Sequence, residues 1–241
     1  MKILIIRHGD PDYEKDSLTE KGFKEAKLLS VKLSKMDIKE FYVSPLGRAK
    51  DTANITLKNM NCSAKEMNFL REFNSPVIDI NTSEKVIPWD LMPSYWTTVG
   101  DYFDNEKWMH TPLMTSGNVK DEYLRVTSEF DKVLSENGYE RKEKYYNAVK
   151  ANTDTIVFFC HFGVECVLLS HLLNISPIAL WHGFIALPTS VTTLISEERE
   201  KGSAYFRCQS FGDLSHLYSG DEEPAFAGRF CEIFEDETKR H

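Results

Sequence analysis

The feature that most confines this chain is the run Thr155-Ile156-Val157-Phe158-Phe159, five branched or aromatic residues in succession. Such a run suits a strand buried on both faces. The strand is expected from Asp154 to Cys160, ended by His161 and Phe162, with an apolar helix from Gly163 to Leu173. Lys2 to Arg7 reads the same way and stops at Gly9-Asp10-Pro11-Asp12, a cluster that cannot continue a strand. Glu40 to Val43 is a third short strand, closed by Ser44-Pro45, with a helix from Gly47 to Lys58 behind it. Ser190 to Glu197 and Ala204 to Ser210 are two more strands joined by a polar turn. Strands alternating with helices argue for an α/β fold with a parallel or mixed sheet and helices on both faces.

Another helix is expected near Ser17 or Thr19, where Ser17 and Glu20 fit a capping box, with Phe23, Ala26, Leu29 and Leu33 on its apolar face. Between about residues 73 and 152 the pattern changes. Trp89, Trp96, Tyr102, Phe103 and Trp108 are interspersed with prolines, and a long amphipathic helix follows from about Val119 to Asn137, with Gly138 as its stop. This stretch is expected to be a helical cap inserted into a single domain spanning 1–241. The alternative makes its aromatics ordinary core of a helical layer.

Composition excludes several function classes. With 37 acidic against 29 basic residues the formal charge is −8, so a dense basic face for nucleic acid is not expected. No run approaches the roughly 20 apolar residues that cross a bilayer, so no membrane association is expected either. Five cysteines without paired spacing read as reduced thiols, mostly small buried hydrophobes, in a soluble cytoplasmic protein. Oligomeric state is not legible.

Three short motifs share one placement. Arg7-His8-Gly9, Ser44-Pro45-Leu46-Gly47-Arg48 and His161-Phe162-Gly163 each follow a strand. Ligands of open α/β sheets bind beyond the carboxyl ends of parallel strands. If these strands are parallel neighbours, Arg7, His8, Arg48 and His161 converge there. Two guanidinium forks and two imidazoles describe a site for a phosphate dianion. A neutral histidine in such a cage can attack phosphorus, and adjacent cations favour the neutral form.

These motifs, with Leu18-Thr19-Glu20-Lys21-Gly22 and Thr52-Ala53, resemble the histidine phosphatase superfamily, and within it the phosphoglycerate mutase-like branch. The resemblance covers roughly Met1 to Ala53 and Asp154 to Leu217. It implies a three-layer α/β/α sandwich with a mostly parallel mixed sheet, a phosphohistidine intermediate on His8, and no metal or cofactor. Arg7, Arg48 and His161 become the phosphate clamp. Leu70-Arg71-Glu72-Phe73 resembles the segment whose glutamate protonates the leaving oxygen, so Glu72 is the candidate acid. Arg125 and His216 are candidate substrate or rim contacts.

The chain departs from the family pattern in places. Asn74-Ser75-Pro76 follows Glu72 where a glycine and an acidic, aromatic stretch are usual, Glu14 stands where an asparagine often helps hold phosphate and is expected to face solvent, and Ser116-Gly117-Asn118 lacks a common glutamate. The expected activity is hydrolysis of a small phosphomonoester, from a phosphorylated metabolite or a phosphopeptide. The alternatives are a phosphoglycerate mutase and a catalytically weak phospho-ligand binding module. A cysteine-dependent phosphatase is excluded, because Cys166 stands where a Cys-x5-Arg loop starting at Cys160 would need arginine. A metal site from His8, Asp10, Asp12 and His161 is the less favoured reading, the two aspartates being turn formers around Pro11. His171 and His182 read as structural groups, and Glu165 as a carboxylate favoured by the dipole of the helix it opens.

Overall fold

The structure, a computed structural model, describes residues 1–79 and 82–238. Among the described residues an eight-stranded mixed sheet forms the centre. Its strands, in chain order, are β1 (Lys2–Arg7), β2 (Glu40–Val43), β3 (Lys65–Glu66), β4 (Tyr139–Lys142), β5 (Tyr145–Ala148), β6 (Thr155–Cys160), β7 (Val191–Glu200) and β8 (Ser203–Asp213). Across the sheet they lie in the order β3-β2-β6-β1-β7-β8-β5-β4. The first four positions are mutually parallel, and the rest pair antiparallel. Only β5 and β7 run against the remaining strands, so the expected mostly parallel mixed sheet is present.

Side chains alternate across a strand, and β1 shows what that does here. Leu4 and Ile6 join one buried cluster with Leu29, Leu33, Ala53 and Leu57, from helices α1 (Glu20–Leu33) and α2 (Gly47–Met60). Ile3 and Ile5 join the opposite cluster with Phe130 and Val167, from α3 (Val119–Glu136) and α4 (Phe162–Leu173). Three layers result. Phe158 of β6 anchors the second interface, stacked on Tyr42 at 4.8 Å and edge-on to Phe130 at 5.5 Å. Truncating such a ring to alanine costs about 3–5 kcal/mol, because the cavity relaxes only in part.

Within residues 73–152, Tyr102 and Trp108 are fully buried, and Trp108 meets Trp181 of α5 (Pro177–Gly183) edge-on at 5.8 Å. Helix α3 ends as its sequence indicates, with Gly138 at φ +92° directly after the Asn137 cap. There a Cβ would be strained.

Three local expectations are corrected. The hydroxyl that caps α1 is that of Thr19, accepting from the Gly22 amide at 3.0 Å, while Ser17 sits in a two-residue strand and donates to Asp51. The Ser17–Glu20 capping box does not form. Phe23 faces outward, and its place on the buried face is taken by Glu25, a charged residue no apolar period could indicate. Of the cysteines, Cys160 and Cys166 are buried, but Cys62, Cys208 and Cys231 are exposed thiols.

The parallel half positions the candidate site. Register pairs Arg7 with Cys160 and Phe159 with Val43, so β1, β2 and β6 end at one edge. The His8 amide donates to the Cys160 carbonyl at 3.0 Å and the Ser44 amide to the Phe159 carbonyl at 2.9 Å, extending the ladder into the loops that carry the motifs.

Candidate active site

His8 and His161 leave adjacent parallel strands and meet with ring centroids 5.1 Å apart. Both imidazoles are buried, His8 at 2 % exposure and His161 fully, with Arg7 beside them at 6 %. Nδ1 of His8 lies 2.8 Å from the Gly9 carbonyl oxygen. A carbonyl only accepts, so Nδ1 carries the proton and Nε2 keeps its lone pair. The loop holding this ring is fixed by the Gly9 amide donating to the Thr52 hydroxyl at 2.9 Å, and that hydroxyl donates to the Arg48 carbonyl at 2.7 Å.

Arg48 opens α2, and its Nη1 donates to Asp16 at 2.6 Å with Tyr13 under the guanidinium at 5.4 Å. The same Asp16 accepts from the Gly47 amide at 2.7 Å, so one carboxylate both caps α2 and aims the arginine. Arg7 donates through Nη1 to the Ala186 carbonyl at 2.5 Å. Nε of Arg7, Nε of Arg48 and Nδ1 of His161 are buried without a hydrogen-bond partner among the described residues. Unpaired buried donors are costly. Three of them in one cage are what an anion would satisfy.

The electrostatics agree. Burial first, then the Arg7 and Arg48 cations, hold the His8 imidazole well below its ordinary pKa. His161 is depressed in the same direction by burial, then by His8, Arg48, Arg7 and Arg71. Both rings are neutral near pH 7.

Glu72 sits at the opposite lip. Its Oε1 accepts the Phe73 amide at 2.8 Å and the Val164 amide at 3.0 Å, so the carboxyl rests on the first turn of α4. A Cβ on Gly163 would lie 2.6 Å from that oxygen, so this close approach requires glycine. Burial raises the Glu72 pKa, against the lowering effect of those amides and of Arg7. A cavity of about 280 Å³ opens beside it, lined by Leu46, Arg48, Arg71, Glu72, Phe73, Asn74 and Trp89.

The structure thus gathers Arg7, His8, Arg48 and His161, with Glu72 at the edge of the same cavity as Arg48. Arg125 does not join them. It is spent on a two-pronged pair with Glu122 at 2.6 and 2.8 Å on an exposed helix face. His216 lies behind the site, not at a rim: it is 4 % exposed and its Nε2 lies 3.1 Å from the Thr189 hydroxyl. Thr189 in turn donates its amide to the His8 carbonyl at 3.1 Å, from a left-handed φ of +57°. Asp10 and Asp12 are occupied, by the Thr19 hydroxyl at 2.6 Å and Lys15 at 2.7 Å, and Glu14 faces solvent as expected. No group of three or more His, Cys, Asp or Glu among the described residues is arranged to hold a metal ion. His171 pairs with Asp131 at 2.8 Å and His182 accepts from the Leu91 amide at 3.1 Å, both structural ties.

Sequence reasoning missed four groups: Asp16, Thr189, the Ala186 carbonyl and Gly228. Gly228, at φ +101°, presses so closely on Arg7 that a Cβ there would lie 2.0 Å from Nη1. Its segment is fastened to α1 by the Lys21–Glu222 pair at 2.6 Å and by the Ala225 amide donating to Glu25 at 3.0 Å. Only the glycine itself is a local signal.

Known proteins resemble this chain in sequence or in fold. An alignment over 72 residues, covering 25% of this chain, is 40% identical to the 2,3-bisphosphoglycerate-dependent phosphoglycerate mutase of Thermoplasma acidophilum and spans only 36% of that protein's length. A probable phosphatase of Schizosaccharomyces pombe is 23% identical over 233 residues, 91% of this chain and 96% of that one. The crystal structure of phosphoglycerate mutase from Bacillus anthracis superposes with a TM-score of 0.61 at 20% identity, over 92% of this chain and 97% of that one, which shows the common fold. The sequence model of the histidine phosphatase superfamily, branch 1, matches residues 3–208, and the chain therefore belongs to that superfamily.

Proposed function

We propose that the protein is a phosphatase that hydrolyses small phosphomonoesters through a phosphohistidine on His8, without a metal. The observation that carries this reading is the set of unpartnered buried donors on Arg7, Arg48 and His161, facing a neutral His8 whose free nitrogen is Nε2. In the first step Nε2 attacks phosphorus and the bond from phosphorus to the ester oxygen breaks. Protonated Glu72 gives its proton to the departing alcohol. In the second step the Glu72 carboxylate takes a proton from water as the water oxygen attacks the phosphorus, and the bond to Nε2 breaks. Inorganic phosphate leaves, and His8 is neutral again. Charge on the transferring oxygens is met by donors already in place, commonly the largest catalytic contribution.

The 280 Å³ cavity suits a metabolite-sized alcohol better than a folded partner, its lining combining the polar Arg71 and Asn74 with Trp89. A phosphoserine side chain on a flexible peptide also fits that volume. We read the chain as one domain, with residues of about 73–152 contributing the Phe73–Trp89 wall. Free thiols and the acidic surface support a cytoplasmic protein without nucleic-acid or membrane partners.

The test is phosphate release from a metabolite panel by the parent and by His8→Ala, with chelator present. Turnover that vanishes in the variant while the fold persists supports the reading, and retained turnover contradicts it. The match to a mutase motivates 3-phosphoglycerate in that panel: rapid isomerisation with little free phosphate would favour mutase activity instead. Tight phosphate binding without turnover of any ester would favour a binding module.

A further inference from the structure

The peptide unit that follows His8 is held at both of its polar ends. Its carbonyl, that of His8, accepts from the Thr189 amide at 3.1 Å, and its amide, that of Gly9, donates to the Thr52 hydroxyl at 2.9 Å. A peptide unit is planar, so these two bonds fix its rotation. With it they fix the backbone that carries the His8 ring and the Gly9 carbonyl. That carbonyl is the acceptor that keeps the proton on Nδ1 and the lone pair on Nε2. The aim of Nε2 therefore depends on the direction of the Thr189 amide.

Thr189 delivers that amide from a left-handed φ of +57°. A β-branched residue rarely adopts this conformation, which persists only where the surroundings enforce it. Here the side chain is fully buried and its hydroxyl is held on two sides. It donates to the Pro188 carbonyl at 2.7 Å, which uses its single proton, so toward Nε2 of His216 at 3.1 Å it can only accept. His216 is thus the tautomer with Nε2–H, and its Nδ1 is buried with no partner among the described residues. Burial, assisted by Lys32 and opposed by Asp213, holds its pKa down to about 4, so the ring is an uncharged donor at neutral pH. It stands on a short helix, α6 (Ser215–Tyr218), that is fastened to α1. Lys32 of α1 pairs with Asp213 at 2.5 Å and donates to the Ser215 hydroxyl at 3.0 Å.

We propose that His216 is a positioning residue for phosphoryl transfer: its Nε2–H holds the Thr189 hydroxyl, Thr189 stays left-handed, and the Thr189 amide keeps the following peptide turned so that Nε2 of His8 faces phosphorus. The inference rests on the reading of His8 as the nucleophile, but not on the identity of the ester or on the role of Glu72. His216 acts only through Thr189.

The probe is phosphoramidate, whose leaving nitrogen is already protonated at neutral pH. The lone pair of His8 Nε2 forms the bond to phosphorus, the bond from phosphorus to nitrogen breaks, and its electrons leave with ammonia, so no acid is needed. Phosphorylation of His8 is followed by mass spectrometry in the parent, His216→Phe, His216→Gln and Thr189→Gly. Phenylalanine keeps the ring and loses the donor, glutamine restores an N–H at similar reach, and glycine adopts the left-handed backbone without help. The rate is expected to fall on the order of tenfold in His216→Phe, the effect of one lost hydrogen bond, and to return to within about threefold of the parent in His216→Gln. In the Thr189→Gly background, His216→Phe is expected to cost less than about twofold. Affinity for inorganic phosphate is expected to stay unchanged, because Arg7 keeps its own tie to the Ala186 carbonyl.

Equal losses in His216→Phe and His216→Gln, or an equal cost of His216→Phe in both backgrounds, mark a merely structural role and overturn the proposal. The parent alone gives a second reading, which stands even if His216→Phe does not fold. Proton–nitrogen correlation NMR is expected to show the His216 proton on Nε2, and a proton on Nδ1 overturns the proposal. A parent His8 that takes no phosphoryl group from phosphoramidate overturns it as well. His8 labelling with the expected dependence in a protein that turns over no ester would sink the phosphatase reading and keep this one. Ester turnover through His8 at a rate unaltered by His216→Phe would do the reverse.

Discussion

The Ser44 hydroxyl lies 2.8 Å from Nε2 of His161, and the opposite nitrogen of that ring is buried without a partner among the described residues. Ser44 Oγ also accepts the Leu46 amide at 3.3 Å, which turns its own proton toward the histidine. His161 is thereby held as the tautomer with Nδ1–H, a donor prepared for an anion.

Replacing Ser44 with alanine frees the tautomer and the ring orientation. We expect kcat/KM for an aryl phosphate to fall about tenfold, the effect of one neutral hydrogen bond of about 1.4 kcal/mol, with the fold retained. Steady-state kinetics with a circular-dichroism control checks this. An unchanged kcat/KM would mean that His161 does not need Ser44 for its alignment.

Gly163→Ala places a methyl group 2.6 Å from Glu72 Oε1 and 3.0 Å from Trp89 Nε1. Glu72 must then leave the first turn of α4, while the arginine cage is untouched. We expect kcat to drop by on the order of 10- to 100-fold, the range associated with a misplaced acid, and the Ki for inorganic phosphate to stay within about twofold. Loss of phosphate affinity instead would place Glu72 in binding.

Gly228→Ala combines a left-handed φ of +101° with a contact on Arg7. The backbone penalty alone is about 1 kcal/mol. The segment from Glu222 to Gly228 is expected to lift, so trypsin should cut after Arg229 faster in the variant than in the parent. Equal cleavage rates would show that the segment is not held down by its approach to Arg7.

Stability has a pH dependence of definite sign. Burial raises Glu25 to about 7 and Glu165 to about 8, above the ordinary carboxylate value near 4.3 that both regain on unfolding. Between those values the folded protein binds more protons than the unfolded chain, so stability is lost as pH rises. Depressed histidines act oppositely, losing stability as pH falls below about 6.5. Comparing the parent with Glu165→Gln cancels those other groups. The variant should gain on the parent by about 1 kcal/mol per pH unit from pH 5 to 8, and level off above. Denaturant midpoints across that range check it, and a constant difference would contradict a displaced Glu165.

Much of this site was legible because four of its residues stand at the ends of apolar runs. A strand end is a local property, and parallel packing of three such ends follows from the chain's α/β rhythm, so Arg7, His8, Arg48 and His161 could be brought together on paper. Asp16, Thr189 and Gly228 could not, because each reaches the site through a loop whose path depends on everything folded before it. Arg125 departs from its expected place for a different reason. A cation on a helix face looks free in sequence, yet Glu122 three residues earlier is a ready partner. Glu165 is expected from its helix dipole alone, yet the sequence carries a second signal: a helix apolar on all sides is covered on all sides, so a lone carboxylate in Val164-Glu165-Cys166-Val167 is buried.

In the proposed reaction phosphorus passes covalently to Nε2 of His8. The most direct measurement of that transfer is mass spectrometry of enzyme quenched in alkali during turnover, on the tryptic peptide that begins at His8 and ends at Lys15. One added phosphoryl group is expected on that peptide, lost in acid and stable in base. Steady turnover with His8 unmodified, or with the phosphoryl group on another residue, would contradict it.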